Sequence, residues 1–196
     1  NWDTNSVRDM SYMFSGAVAF NQSLNEWNIG DTKNSGHMFE GACAFNQPLD
    51  YWDTSQVVDM SHMFHGARGF NQPINAWNTE NVTDMNHMFY EARAFNQSLD
   101  HWNTRNVCDM SCMFAYASAF NQPLNAWNVK NVKDMNRMFE GARVFNQTLE
   151  DWRTSNVINM SHLFEDAATF NQPLNKWDIS NVRDMHGMFA GAVLFN

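Results

Sequence analysis

Four histidines, His37, His62, His87 and His162, fall at the same step of a 25-residue cycle, and the first three lie on consecutive cycles. Imidazole is a transition-metal ligand. Side chains on neighbouring rungs of a stacked repeat, about 4.8 Å apart, come close enough for two to share one ion. The same step is also taken by Tyr12, Cys112, Arg137 and Gly187. A position that accepts all of these reads as a solvent-facing helix residue, and no metal site is expected there. His65, His101 and His186 belong to other steps. A second row, Asp9, Asp59, Asp84, Asp109, Asp134 and Asp184, aligns carboxylates of the kind calcium takes. Asn34 and Asn159 complete that row. Asp and Asn both serve as helix N-caps, so capping accounts for the row without an ion. Ser, His and Asp occur only as repeated columns, whereas an active site breaks a repeat with one odd, perturbed group. GxSxG, HExxH, GxGxxG and P-loop spacings do not occur. No catalytic residue, no enzymatic activity and no cofactor is expected. Cys43, Cys108 and Cys112 are odd in number and lie at different steps, so they form no disulfide framework. Cys108 and Cys112 are one local turn apart.

The most regular polar feature is an Asn-Gln pair: Asn21-Gln22, Asn46-Gln47, Asn71-Gln72, Asn96-Gln97, Asn121-Gln122, Asn146-Gln147 and Asn171-Gln172. A carboxamide donates and accepts, so identical amides one rung apart can bond in a chain and satisfy turn backbone groups. The expected role is a structural amide ladder; a glycan-facing or ice-facing array is the other reading. Asn21, Asn81, Asn96 and Asn146 open N-x-S/T sequons. Three of them lie in the ladder, which leaves Asn81 as the better glycan acceptor.

The elements that hold these residues are set by the repeat itself. Trp recurs at 2, 27, 52, 77, 102, 127, 152 and 177, and two Phe columns and an Ala column keep the same interval without an insertion. A 25-residue unit cannot bury its own apolar face, so units must stack. Leu124, Trp127 and Val129 show one unit's alternation of apolar, aromatic and β-branched residues, which suits a short strand. Met135, Met138, Phe139 and Ala142 are spaced i, i+3, i+4, i+7, one face of a short helix or 3₁₀ turn. Gly16, Gly41, Gly66, Gly141 and Gly191 stand where that helix would end. The expected fold is an α/β repeat solenoid of about eight 25-residue units over residues 1–196, each with one short parallel strand and one short helix or 3₁₀ turn. Thr32 and Ser35, where other units have Val and mostly Met, predict a looser second rung. The first and last units keep their apolar columns, which suggests a segment of a longer array.

The order of strand and helix resembles a leucine-rich repeat. More specifically, "FNQPLNAWNVKNVKDMNRMFEGA" (residues 120–142) resembles the bacterial surface protein 26-residue repeat, the DUF285 or BspA-like family. The combination of MF, FNQ, W and NV carries that resemblance along essentially the whole chain. It implies a leucine-rich-repeat-like solenoid at a cell surface or outside the cell, and it brings no catalytic residues.

With 21 acidic and 12 basic residues the chain has a net charge of −9, which argues against nucleic acid as a partner. No run of 18 apolar residues is present, so no transmembrane segment is expected. The free surface is expected on the outward side of the strands, at Glu26, Asn28, Tyr51, Asp53, Asn78, Glu80, His101, Asn103, Arg105, Asn128 and Lys130. Around these positions side chains vary from unit to unit on a constant frame, as a face for a protein or glycan partner would. The alternatives are a building block of a filament, envelope or large complex, and an ice-binding array.

Overall fold

The computed structural model describes residues 2–196. Each 25-residue unit is one rung. Successive rungs meet through single parallel bridges at Asp9, Asn34, Asp59, Asp84, Asp109, Asp134, Asn159 and Asp184. The core is one continuous cluster running from Met10 to Met188.

The core follows directly from the apolar columns. Phe39, Phe64 and Phe89 stack rung on rung with ring centroids 5.5 and 5.8 Å apart. Within a rung, Phe64 lies 4.0 Å from Phe70. The indoles of Trp52, Trp77 and Trp102 stack at 6.1 and 6.5 Å. Stacked rings at such spacings interact beyond the area they bury. Each fully buried Phe contributes about 1.5–3 kcal/mol by removal from water. Met60, Met85, Met110 and Leu163 are fully buried beside them.

The elements between core columns differ from the expected ones. Among the described residues there is no helix, and no strand longer than one bridge residue. Where the spacing predicts a helix, the backbone amides alternate. Met13, Ser15 and Ala17 donate to Met10, Tyr12 and Phe14 in their own rung. Met10, Tyr12, Phe14 and Gly16 donate instead to the carbonyls of Asn34, Gly36, Met38 and Glu40 on the next rung. His62, Phe64 and Gly66 repeat the pattern with Asn86, Met88 and Tyr90. A helix needs every amide for its own i−4 carbonyl; here every second one crosses between rungs. Two left-handed residues per unit, such as Tyr12 (φ 59°) and Gly16 (φ 70°), produce the alternation. The Met-Phe-Ala spacing that suggested a helical face is met by a chain of tight turns.

Where a strand is expected, around Leu124–Val129, the backbone also turns: Trp127 donates to Leu124 and Val132 to Val129. Rungs are joined there by side chains. Trp127 Nε1 donates to Leu99 O at 2.9 Å and Trp152 Nε1 to Leu124 O at 2.9 Å. Thr104 Oγ1 donates to Asn128 O at 3.1 Å.

The Asp/Asn row caps a turn, not a helix. Each member accepts the amide two residues on, as Asp59 does from Ser61 (2.8 Å) and Asp109 from Ser111 (2.8 Å). This is an Asx turn, which Asp and Asn favour equally. The second rung's polar substitutions leave no unsatisfied gap. Thr32 and Ser35 are buried, and their hydroxyls donate to Val7 O (3.0 Å) and Asp59 O (3.1 Å).

Candidate binding face

The flank bearing the Trp-to-Leu clips is the face on which sequence reasoning placed a partner. Glu26, Asn28, Tyr51, Asp53, Asn78, Glu80, His101, Arg105, Asn128 and Lys130 are exposed there, and Asn103 is half-buried. Two different jobs are mixed in this set. Asn28, Asp53, Asn78, Asn103 and Asn128 accept the amides of Gly30, Ser55, Glu80, Arg105 and Lys130 at 2.9–3.3 Å. They close a second Asx turn in each of these rungs, as Asp3 and Asp178 do in theirs, so the column serves the backbone first; only Arg153 breaks it. The bond from the Ser55 amide, aided by its hydroxyl, holds the Asp53 carboxyl below its ordinary range. The other members vary and extend outward. Tyr51 is 71% exposed, and Arg105 pairs with Glu80 one rung back. Shallow recesses open between rungs on this face, one lined by Asn125–Lys130 with Asp151 and Arg153, another by Asn25–Ile29 with Tyr51 and Asp53.

Three amide rows run along the stack. In the Asn-Gln row, Asn96 Oδ1 accepts both the Asn121 amide (2.9 Å) and Gln122 Nε2 (3.0 Å). The same pair of bonds joins Asn21 to Asn46 and Gln47, Asn46 to Asn71 and Gln72, Asn71 to Asn96 and Gln97, Asn121 to Asn146 and Gln147, and Asn146 to Asn171 and Gln172. Each Asn oxygen therefore bonds the backbone amide of the next Asn and the side-chain carboxamide of the next Gln, and among the described residues no bond joins one Asn side chain of this row to the next. The second row was not singled out in the sequence. Asn81, Asn106, Asn131, Asn156 and Asn181 donate Nδ2 to the carbonyls of Ser55, Glu80, Arg105, Lys130 and Ser155 at 2.7–2.8 Å. Asn81, the sequon asparagine outside the Asn-Gln row, is exposed, and its Nδ2 is engaged in this row. The third row alternates carboxamide and carboxylate: Asn25 donates to Asp50 (3.0 Å) and Asn75 to Asp100 (2.8 Å). That alternation separates like charges. The second row is visible as a 25-residue recurrence of Asn, and the third as Asn every 50 residues with Asp or Glu between.

The family model described as Mycoplasma protein of unknown function, DUF285, matches residues 1–57, 44–148 and 94–196, which together span the chain. The chain belongs to the DUF285 family. Comparison with curated proteins and with solved structures returned no match.

On the opposite corner of the DUF285 rungs lies the histidine row. It is not helical, which corrects the sequence reading, and it is only partly solvent-facing: Tyr12 is exposed, the histidines and Arg137 are half-buried and Cys112 is buried. Tyr12, His37, His62, His87, Cys112, Arg137 and His162 all take left-handed φ of 54–59°. The Tyr12, His37, His62 and His87 rings stack face to face at 4.2, 4.2 and 4.4 Å. Glu40 Oε2 lies 2.8 Å from His37 Nδ1, and its Oε1 3.7 Å from His65 Nδ1. The Nδ1 atoms of His62 and His65 are buried without a hydrogen-bond partner, the Glu40 contact to His65 being too long for one. Burial first, and then the neighbouring His87, His37 and His65, lower His62 to about 4. Burial likewise lowers His65 and His87. Parallel rings present their nitrogens side by side, not toward one point. Among the described residues no group of three or more His, Cys, Asp or Glu is placed to hold a metal ion. Cys112 is buried and Cys108 exposed, both as free thiols; burial pushes the Cys112 thiol up to about 11.

Proposed function

We propose that this DUF285 chain is a non-enzymatic, leucine-rich-repeat-like solenoid module of a cell surface or the extracellular space. It binds a protein or glycan partner through the face carrying Glu26, Tyr51, Glu80, His101, Arg105 and Lys130. The observation that supports the reading is the division of labour on that face. One column is fixed by the Asx turns, while its outward neighbours Glu26, Tyr51, Ala76, His101, Ala126, Asp151 and Lys176 are exposed and change on every rung. The frame also holds those variable residues in place, since Asn25 and Asn75 accept the amides of Tyr51 (3.1 Å) and His101 (3.0 Å). Rigid presentation of varied side chains reduces the ordering cost of binding.

The test is a screen of the purified chain against a glycan array and a panel of surface proteins. Any hit is then measured with the triple variant Tyr51→Ser, Glu80→Gln, Arg105→Gln. At least a tenfold loss of affinity is expected, and an unchanged affinity rejects the face.

A further inference from the structure

A different corner of the stack carries a further recess. One column reads Arg68, Arg93, Ser118, Arg143 on four consecutive rungs, with the arginines exposed and Ser118 half-buried. Ser118 is the short member, and its truncation between two arginines leaves a notch of about 260 Å³. The notch is lined by Arg93, Tyr116, Ser118, Gly141 and Arg143. Its shape depends on Gly141, which sits at φ +63° beneath the Tyr116 ring. A Cβ at residue 141 would come within 2.5 Å of that ring. The Tyr116 hydroxyl is turned inward and bonds to Glu140, so the ring, and not the hydroxyl, faces the recess.

The charges around the notch are unbalanced in a chain that is otherwise acidic. Glu91 is shared by Arg68 (2.8 Å) and Arg93 (3.2 Å). Glu140 is buried and already held by Arg137 at 2.7 Å. Arg143 is exposed and makes no ion pair among the described residues. Two guanidinium groups on either side of a hydroxyl suit an oxyanion, and their planar forks match carboxylate and tetrahedral oxyanions.

We infer that this notch binds the charged substituent of one acidic sugar residue, carboxylate or sulfate, between Arg93 and Arg143, with the sugar ring against Tyr116. The backbone beneath the ring is engaged, while the amides of Ser118 and Arg143 make no hydrogen bond among the described residues. Tyr116 and Gly141 donate their amides to Glu140 and Glu165 on the next rung, and Ala117 donates within its own. The site is separate from the face proposed above and stands or falls independently of it.

Binding of a heparin-derived tetrasaccharide (sulfated), a tetragalacturonate (carboxylated), a neutral dextran oligosaccharide and a phosphotyrosine peptide is measured by calorimetry at two salt concentrations. One or both acidic sugars should bind, and which one identifies the anion; dextran should not. Arg143→Ala should weaken binding about tenfold, the value of one lost charge-assisted pair. The decisive variant is Ser118→Arg, which completes the basic column and fills the notch. It should weaken binding although it adds positive charge, with an unchanged melting temperature showing that the fold is intact. Equal or tighter binding by Ser118→Arg means a diffuse basic stripe and overturns the site. Dextran binding as tightly as the acidic sugars, no binding by either acidic sugar, or preference for the phosphopeptide does the same. Tyr51→Ser should leave this binding unchanged.

Discussion

The tryptophan flank and the histidine corner repeat with the same 25-residue period, yet they hold their rungs together differently. On the first, Trp indoles and, in five units, Thr hydroxyls donate to backbone carbonyls of the neighbouring rung, and the Trp never changes from unit to unit. On the second, the backbone carries the inter-rung bonds, through left-handed residues at Tyr12, His37, His62, His87 and Cys112. Because side chains do little of the joining there, their chemistry is free to vary, and ionisable groups accumulate. A repeat can thus be strict where side chains bond and permissive where the main chain does.

The largest break in that comparison comes from the core both flanks share. Phe89→Ala removes a fully buried ring stacked on Phe64 and Phe114. It should cost about 3–5 kcal/mol in denaturant unfolding.

Acid should separate the flanks next. His62 binds a proton in the unfolded chain near 6.5 and in the folded chain only near 4. Its stabilising contribution is therefore full above pH 6.5 and is lost as pH falls from 6.5 toward 4. His65 and His87 add in the same direction. Glu40, Glu91 and Asp109 oppose the shift from nearby. Melting temperature should drop between pH 7 and 5, with hydrogen exchange rising first around residues 37–90. The double variant His62→Asn, His87→Asn, whose side chains tolerate left-handed φ, should lose more than half of that drop. An undiminished drop places the acid sensitivity elsewhere.

On the side-chain-bonded flank, Asn96→Ala takes the acceptor from the Asn121 amide and Gln122 Nε2. A loss of about 1–2 kcal/mol is expected. The smallest effect has the opposite sign. Asp166 is exposed and left-handed at φ 54°. Asp166→Gly relieves about 1–2 kcal/mol of left-handed cost against about 0.5–1 of added unfolded-chain entropy, so a gain of about 0.5 kcal/mol should appear.

How far these features are legible in the sequence depends on their range. The Trp, Phe and Ala columns show as plain recurrences because each fills the same hole. The Asp/Asn row shows too, but the sequence cannot say whether Asp59 caps a helix or an Asx turn, since both use the same oxygen on an amide nearby. The left-handed corner is hidden for a different reason. Gly16, Gly41 and Gly66 hint at one of its two turns. At the histidine step only Gly187 does so plainly; His is merely enriched at positive φ, and Tyr and Arg carry no such signal. Which amides leave their own turn for the next rung is a non-local choice 24 residues away, and no local spacing encodes it. On the candidate face, the exposure of Tyr51 follows from its step in the repeat. The prior commitment of Asn28, Asp53 and Asn78 to the backbone does not.

The division between a main-chain seam and a side-chain seam also fixes how the molecule would respond to force. Pulled along the stack, the flank held by single indole and hydroxyl clips should open first, like stitches cut one at a time, while the amide seam acts as a hinge until it tears. Each rung released would add 25 residues of contour, at most about 80–90 Å. A stretched molecule should therefore lengthen in equal increments, one for each rung that lets go.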